Sequence, residues 1–316
     1  MIMLVRSLTA LLVCASCGTP EPAISPPPKP STILSTFTPL KDGFSQAIAP
    51  GAPLVTLGAG ATWWDGDVPV TVALPQNGTP YGSRWKPDGT SLCLGLGALD
   101  LAARTWRPEP GLQAFNRPGP DRGYPVRQVA WFADTSHVAM VIEARATPGT
   151  RTQEIVTASA DGHVRGRHGV AGMVTAMVAS DDRVLVGASK MVVLDLDAKV
   201  IAEPALSVLR VSEGGGMFAA TLTARGVALL RPSDGAVLAT WDVPANDAVP
   251  VPHGVVAVDF EGTVRVGCLD GGVVREVANV ASGTRAPIIQ RVGDRIVVAG
   301  SDANPIRVAT FTNPCH

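Results

Sequence analysis

The stretch GVVAVDFEGTVRVGCLDGGVVREV, residues 254–277, alternates apolar and polar side chains on both sides of Glu261-Gly262, and it turns again at Asp270-Gly271. Alternation with a period of two is typical of a half-buried β-strand. Glycine accepts the positive φ that a tight hairpin turn requires, and Asp-Gly is a strong hairpin signal. This stretch therefore predicts consecutive antiparallel strands joined by two tight hairpins.

The same turn chemistry recurs along the whole chain. The sequence has 33 Gly and 27 Pro, yet 46% of its residues are hydrophobic and only 17% are charged. This composition fits many tight turns around a large core rather than disorder. Asp-Gly or Asn-Gly pairs stand at 65–66, 77–78, 88–89, 161–162, 234–235 and 270–271.

Strong apolar runs recur with a period near 40 residues. They begin at Leu54, Thr90, His137, Arg183, Met217, Val255 and Arg295. Short strands and turns at this period are typical of propeller blades, each a four-stranded antiparallel sheet that cannot bury both of its faces alone. We therefore predict an all-β fold, a single β-propeller of about seven four-stranded blades over residues 33–316. A pair of β-sandwiches is the alternative, but it does not require a whole-motif repeat.

The last predicted unit supplies only three strands, near 287–292, 295–299 and 305–311. An open outer edge is an aggregation hazard, so a fourth strand has to come from elsewhere. The segment STILSTFTPL, Ser31 to Leu40, is the one early run able to form a strand. It is predicted to close the ring as the outermost strand of the last blade.

Two runs resemble a known repeat. VALLRPSDGAVLATW (residues 227–241) and GALDLAARTW (residues 97–106) are similar to the blades of PQQ-like quinoproteins, whose strands end in an Asp, a turn and a Trp. The resemblance implies that Trp106 and Trp241 pack between neighbouring blades. WD40-like blades are the competing relatives, although their Trp-Asp and Gly-His dipeptides do not recur. Quinone enzymes of this kind usually carry adjacent cysteines and a calcium site, and neither is visible here.

The N-terminus resembles a bacterial lipoprotein signal. Arg6 precedes the apolar run of residues 8–13, and small residues precede Cys17, which would become the lipidated first residue of the mature chain. Cys14 stands where that family usually has Leu, so an ordinary secretory peptide remains the alternative. We interpret residues 1–16 as a signal peptide and residues 17–32 as a lipid-anchored linker, extended because it is rich in proline.

Three cysteines remain after the signal and the anchor, an odd number for an oxidising compartment. Cys268 ends the third strand of the sixth predicted blade, and Cys315 follows the third strand of the seventh. Equivalent strands in neighbouring blades run the same way, so both cysteines emerge toward one face. We therefore predict a Cys268–Cys315 disulfide with Cys93 free and buried. The alternative is three reduced thiols.

The sequence shows no catalytic, cofactor-binding or metal-binding pattern. No G-x-S-x-G or H-E-x-x-H occurs, and His163 and His168 lie five residues apart on a turn-strand segment with no third ligand. Two sets of residues are candidates for surface binding. Trp63 and Trp64 face opposite sides of one strand; core packing is the favoured interpretation of both, and a binding role is the alternative. Arg165, Arg167 and His168 place charge at a blade edge, where a solvated edge that guards against strand pairing is favoured over a binding role.

These features favour a non-enzymatic, monomeric envelope lipoprotein whose propeller serves as a protein-binding scaffold. Its partners would be an envelope protein and, through the lipid, a membrane, which we expect to be the outer membrane. Secretion is the alternative location. The formal net charge of −1 gives no reason to expect binding to nucleic acid. The alternatives are a hydrolase, a lyase or a quinone-dependent enzyme acting at the axial channel, and a carbohydrate-binding module using Trp63 or Trp64.

Overall fold

The computed structural model of the chain describes residues 33–37, 47–49, 55–57, 60–65, 68–74, 82–117, 125–147, 150–270, 275–280, 287–292, 295–299, 306–312 and 315. The signal peptide of residues 1–16, the linker of residues 17–32 and the lipidation site Cys17 lie outside these ranges. Their assignments stay predictions.

The described residues form strands that group into seven four-stranded antiparallel sheets. The strands, in chain order, are β1 Ile33–Phe37; in blade 1, β2 Ala47–Ala49, β3 Val55–Leu57, β4 Gly60–Asp65 and β5 Val68–Ala73; in blade 2, β6 Ser83–Trp85, β7 Ser91–Leu94, β8 Gly97–Asp100 and β9 Thr105–Pro108; in blade 3, β10 Val126–Trp131, β11 His137–Thr147, β12 Thr150–Ser159 and β13 Val164–Val170; in blade 4, β14 Ala176–Ala179, β15 Arg183–Gly187, β16 Val192–Asp195 and β17 Val200–Ala202; in blade 5, β18 Val208–Gly214, β19 Met217–Leu222, β20 Val227–Leu230 and β21 Val237–Trp241; in blade 6, β22 Asp247–Val251, β23 Gly254–Val258, β24 Thr263–Cys268 and β25 Arg275–Asn279; in blade 7, β26 Ile288–Val292, β27 Arg295–Ala299 and β28 Ile306–Thr312. A helical turn, α1 Pro110–Gln113, and a 3₁₀ turn, Ala114–Asn116, lie between blades 2 and 3.

The fold is a seven-bladed β-propeller, as the repeat predicted. The first strands of successive blades are neighbours, β2 beside β6, then β10, β14, β18, β22 and β26, and β26 lies beside β2 again. These first strands therefore form a closed inner ring around an axis. Successive strands in each blade step outward and alternate in direction. Residues 254–277 supply β23, β24 and the beginning of β25 in blade 6.

The alternation of strand direction gives the disc two distinct faces. We call the face where each inner strand begins the entry face, and the face where it ends the exit face. The connections between blades and the turns from second to third strands lie on the entry face. The turns from first to second strands and from third to fourth strands lie on the exit face.

Strand β1 closes the ring as predicted. It pairs antiparallel with β28, from Ile33 opposite Thr310 to Phe37 opposite Ile306, and completes the sheet of blade 7. Because β28 runs toward the exit face, β1 begins at that face and ends at the entry face.

The core lies between blades rather than inside them. Six clusters of buried apolar side chains each draw on two consecutive blades, from the cluster of blades 1 and 2 to the cluster of blades 6 and 7. In the cluster of blades 4 and 5, for example, Leu185 and Met191 pack with Phe218. A single blade exposes both of its faces, so the blades depend on each other for stability.

The two tryptophans singled out by the repeat pack between blades, but in different ways. Trp241, at the end of β21 in blade 5, lies over Gly267 of β24 in blade 6 and is buried in the cluster that these blades share. Trp106 of β9 lies over Gly97 of its own blade and packs into the cluster shared with blade 1. Its indole N–H donates to the carbonyl of Leu94 at 3.2 Å.

Candidate functional site

The axial channel is the first place to look for chemistry, because the inner strands bring side chains from distant parts of the chain together there. At its exit end, the guanidinium of Arg84 donates to the carbonyls of Trp131, at 3.2 Å, and Ala179, at 2.8 Å. It also forms an ion pair with Glu213 at 2.8 Å. These partners belong to blades 3, 4 and 5, and blade 5 lies nearly opposite blade 2 in a ring of seven. The Arg84 side chain therefore lies across the channel.

A second polar group lies at the entry end of the channel. Asp247, the first residue of β22, accepts hydrogen bonds from the backbone N–H groups of Ala248, at 3.0 Å, and Ile289, at 3.4 Å. Arg210 of β18 approaches its carboxylate to 4.0 Å. Removal from water raises the pKa of Asp247 to about 6, because burial penalises the charged form more than these partners favour it.

The two channel carboxylates do not form a pair for acid–base catalysis. Glu213 lies near the exit end of β18 and is held by Arg84, whereas Asp247 lies at the entry end of β22 beside Arg210. Paired catalytic carboxylates have to flank one reacting bond. Within the ranges that the structure describes, no group of three or more His, Cys, Asp or Glu side chains is placed to hold a metal ion.

A Ser-His-Asp cluster that the sequence did not reveal lies on the exit face of blade 3. The Nδ1 atom of His137 lies 2.6 Å from a carboxylate oxygen of Asp134 and 3.0 Å from the hydroxyl of Ser136. Its Nε2 atom lies 3.4 Å from the guanidinium of Arg165. A catalytic base needs its orienting acid and its nucleophile on opposite ring nitrogens. Here both groups lie at the same nitrogen, so the cluster caps a turn and does not activate the serine.

The structure corrects the surface-binding candidacy of Trp63 and bears out core packing for this residue. This side chain is 4% exposed and packs with Leu92 and Leu99 in the core between blades 1 and 2, so it is not available to a ligand. Trp63 lies on the side of β4 that faces blade 2, and blade 2 covers that side of the sheet. The side chain of Trp64 lies outside the described residues, and the carbohydrate-binding alternative now depends on Trp64 alone.

The charged candidates Arg165, Arg167 and His168 lie on β13, the outermost strand of blade 3, at the blade edge as predicted. They do not form one cluster, because alternate residues of a strand face opposite sides. Arg165 forms an ion pair with Asp197 of blade 4 at 2.9 Å, and Arg167 pairs with Glu154 of β12 at 2.8 Å. His168 belongs to the opposite, half-buried side of the strand.

The cysteines are arranged as the blade register predicted. Cys268 and Cys315 form a disulfide, with their Cα atoms 5.4 Å apart, while Cys93 is free and buried. The bond ties the end of β24 in blade 6 to the residues that follow β28 in blade 7, on the exit face. Burial raises the pKa of the Cys93 thiol to about 11, so it stays protonated and unreactive at neutral pH.

Comparisons with known proteins support the fold and nothing finer. No family model matches the sequence, and no curated protein matches it. Among solved structures, the chain is similar to the β-propeller domain of Cps50 (Swd1) from Myceliophteria thermophila, a propeller of the WD40 type. The TM-score is 0.61 at 12% sequence identity, over 89% of this chain and 100% of that one. At this identity the likeness shows the fold alone, and the PQQ-like resemblance stays a prediction.

In all, 1179 chains of solved structures match this chain, so the fold by itself leaves many functions open. The part of the chain that the structure describes contains no helix long and apolar enough to cross a membrane. The features that bear on function are the exposed faces of the propeller, the disulfide and the position of β1.

Proposed function

We propose that this protein is a non-enzymatic, monomeric lipoprotein of the cell envelope whose β-propeller serves as a scaffold for another envelope protein. The observation that carries the scaffold role is the entry face, where the large apolar side chains of Met173, Leu209 and Phe260 are exposed. Large apolar side chains that are exposed at the surface are typical of interaction sites. Leu269 at the exit face, and Val200, Ile201 and Val237 on outermost strands, are also exposed, but each to a smaller fraction than Met173, Leu209 and Phe260. The charged side chains described in the channel, in contrast, pair with one another, Arg84 with Glu213 and Arg210 with Asp247.

The disulfide supports export. Bonds of this kind persist in the periplasm and outside the cell, and they are rare in a reducing cytosol. Cys268 and Cys315 lie in different blades, and their bond joins the chain end to the body of the ring. A signal peptide at residues 1–16 would deliver the chain to a compartment where this bond forms.

The position of β1 supports the anchor. Its first residue, Ile33, lies at the exit face beside Thr310, so an anchoring segment before it would join the propeller at that face. In an extended polyproline conformation, a linker of about 15 residues spans on the order of 45 Å. A lipid at Cys17 would thus tether the propeller within about that distance of a membrane, through a segment joined at its exit face.

The lipoprotein part of the proposal is tested on the mature protein. Mass spectrometry of the N-terminus is expected to show a diacylated or triacylated Cys17, and Cys17→Ala is expected to move the protein from the membrane to the soluble fraction. A mature chain that begins at Gly18 or later with a free amino group would contradict it.

The scaffold part is tested by crosslinking in intact cells, followed by purification from membranes. The wild-type chain is expected to capture one recurring envelope protein, which Cys17→Ala captures less efficiently because it is not held at the membrane. A wild-type chain that captures no recurring protein, together with turnover of a substrate that Arg84→Met abolishes, would favour an enzyme acting at the axial channel instead.

A further inference from the structure

We propose that an arc on the entry face, formed by Arg127, Met173, Leu209 and Arg210, binds an acidic, extended segment of the partner protein. Carboxylates of that segment would pair with the two arginines, and an apolar side chain between them would pack on Met173 and Leu209. This inference rests on the proposed scaffold function and specifies the surface and the chemistry of the partner.

The four residues lie at the entry ends of neighbouring elements, and the β-bulge between Val208 and Arg210 interrupts the alternation that would otherwise turn Leu209 and Arg210 to opposite sides of β18. Arg127 lies on β10 of blade 3, Met173 lies in the connection to blade 4, and Leu209 and Arg210 begin β18 of blade 5. The amide of Gln128, next to Arg127, donates to the carbonyl of Val174 at 3.3 Å. The hydroxyl of Thr175 donates to the carbonyl of Val208 at 3.3 Å. These two hydrogen bonds connect the inner strands of blades 3 and 5 through the loop that carries Met173.

The charge that this arc presents to solvent is positive, although each arginine has an acidic partner. The Arg127 side chain is 47% exposed, whereas Glu143, at 2.5 Å from it, is 10% exposed. The Arg210 side chain is 45% exposed, whereas Asp247, at 4.0 Å, is 14% exposed. The carboxylates thus lie beneath the guanidinium groups. Each guanidinium has five N–H donors in a planar fork, and it can receive a second carboxylate from the solvent side.

The apolar side chains lie between the two arginines along the arc. Met173 is 71% exposed and Leu209 is 47% exposed. The backbone beneath Met173 is fixed, because the N–H of Val174 donates to the side chain of Gln153 at 2.6 Å and the N–H of Thr175 donates to Gly187 at 2.8 Å. Because the backbone of this loop is already ordered, binding does not have to order it, and the methionine thioether adapts to ligands of different shape.

The orientation of the molecule favours a protein partner at this face. Because β1 begins at the exit face, an anchor before it would be joined to the face opposite the arc and would leave the arc accessible to another protein. The exit face has different chemistry. Its turns carry aspartates that accept hydrogen bonds from their own backbone, among them Asp88, Asp134 and Asp161, and hydrogen bonds to these carboxylates hold the pKa of each below its usual range. An acidic segment would be repelled there and attracted to the arc.

The proposal is tested by panning a random nonapeptide library against the mature chain in detergent. We expect enriched peptides that carry two or more Asp or Glu residues around a Leu, Ile or Phe. Their dissociation constants are expected to rise about tenfold or more in the Arg127→Gln/Arg210→Gln variant and to rise with added salt. The matched control is Arg231→Gln, which removes an equally exposed, ion-paired arginine from the exit face and is expected to leave binding unchanged.

Loss of the arginines also removes one ion pair each from Glu143 and Asp247, so a fold defect has to be separated from lost binding. Met173→Ser/Leu209→Ser keeps both ion pairs and is expected to raise the dissociation constants of the same peptides several-fold. Val237→Ser, at the exposed rim of blade 5, is expected to leave these constants unchanged. An absence of enrichment, enrichment of neutral or basic peptides, or binding that both double variants retain would overturn the proposal.

Crosslinking in cells separates failure of this inference from failure of the scaffold function. If both double variants capture the same envelope protein as the wild-type chain, the scaffold function holds and the arc is not its surface. If the wild-type chain captures no recurring protein, the scaffold function itself fails. Capture that is lost in both double variants and retained in Arg231→Gln supports both.

Discussion

Asp247 gives the protein a pH dependence opposite to that of most carboxylates. Its pKa is about 6 in the folded chain because burial disfavours the ion, whereas the ordinary value is 3.8. Between these values the folded state binds more protons than the unfolded state, so the free energy of unfolding falls as pH rises through this window and then levels off. The free energy of unfolding of Asp247→Asn does not fall in this way, because an asparagine side chain does not titrate. We therefore expect the variant to gain stability relative to wild type, by on the order of 2–3 kcal/mol, between pH 4 and pH 7.

Urea unfolding of both chains across this pH range measures the difference, which is expected to grow with pH. Asp242→Asn is the control, since Asp242 lies on the same face with its side chain 84% exposed, and it is expected to give a flat difference. A flat difference for Asp247→Asn as well would mean that the carboxylate is ionised throughout and better solvated than the structure indicates.

Gly267 is required where a tryptophan from one blade covers a strand of the next. A Cβ atom at this position would lie 2.7 Å from both Cε2 and Nε1 of Trp241, and neither the ring nor the strand has room to move. We expect Gly267→Ala to lower the free energy of unfolding by about 1–3 kcal/mol. Gly169→Ala is the matched control on a strand, because a Cβ atom there meets nothing within 4 Å. It is expected to change stability by no more than about 0.5 kcal/mol in thermal and urea unfolding.

At the scale of elements, the disulfide acts as a staple between blade 6 and the chain end. The bonded sulfur of Cys315 lies against Gly254, where a Cβ atom would approach it to 2.5 Å, so the tail is packed onto β23 as well as bonded to β24. We expect Cys268→Ser/Cys315→Ser to lose about 2–4 kcal/mol of stability, since the bond limits the freedom of the unfolded chain. Thermal unfolding with and without dithiothreitol checks this.

In that experiment the wild-type chain is expected to lose stability on reduction, whereas the double variant is expected not to respond. Cys93→Ala, which changes the free cysteine, is the control and is expected to keep the response of the wild type to reduction. A wild-type chain that melts at the same temperature in both conditions would show that the staple contributes nothing to the stability of the ring.

The elements were predictable because their signals are local, and the channel was not because its contacts are long-range. Turn pairs and alternation marked the first residues of the second strands of blades 2 to 7 to within one residue. The direction of the strands then placed Cys268 and Cys315 on one face. Arg84 and Glu213, in contrast, are 129 residues apart and carry no shared pattern. The inward orientation of Trp63 depends on which side of β4 faces blade 2, and adjacent tryptophans give no sign of that.

At the scale of the whole molecule, one short strand decides whether the ring is closed. Without β1, blade 7 has three strands and the outer edge of β28 is open from Ile306 to Thr310. Blade 7 shares a buried cluster with blade 6, so a weakened blade 7 also weakens blade 6. A chain that begins at residue 41 is therefore expected to lose several kcal/mol and to aggregate through its open edge. A chain that begins at residue 31 lacks the same leader but keeps β1, and it is the matched control.

Adding the strand back in trans gives the sharpest test of closure. A synthetic peptide of residues 31–40 binds only the folded, open ring, so it is expected to raise the melting temperature of the chain that begins at residue 41 in proportion to the logarithm of its concentration. The chain that begins at residue 31 already has the site filled and is expected not to respond. A peptide in which the adjacent residues Leu34 and Ser35 are replaced by proline loses at least one N–H that faces β28, because neighbouring N–H groups of a strand point to opposite sides, and it is expected to have no effect. Equal melting temperatures for the two chains, with no response to the peptide, would show that the ring is held by its blade interfaces and does not need β1.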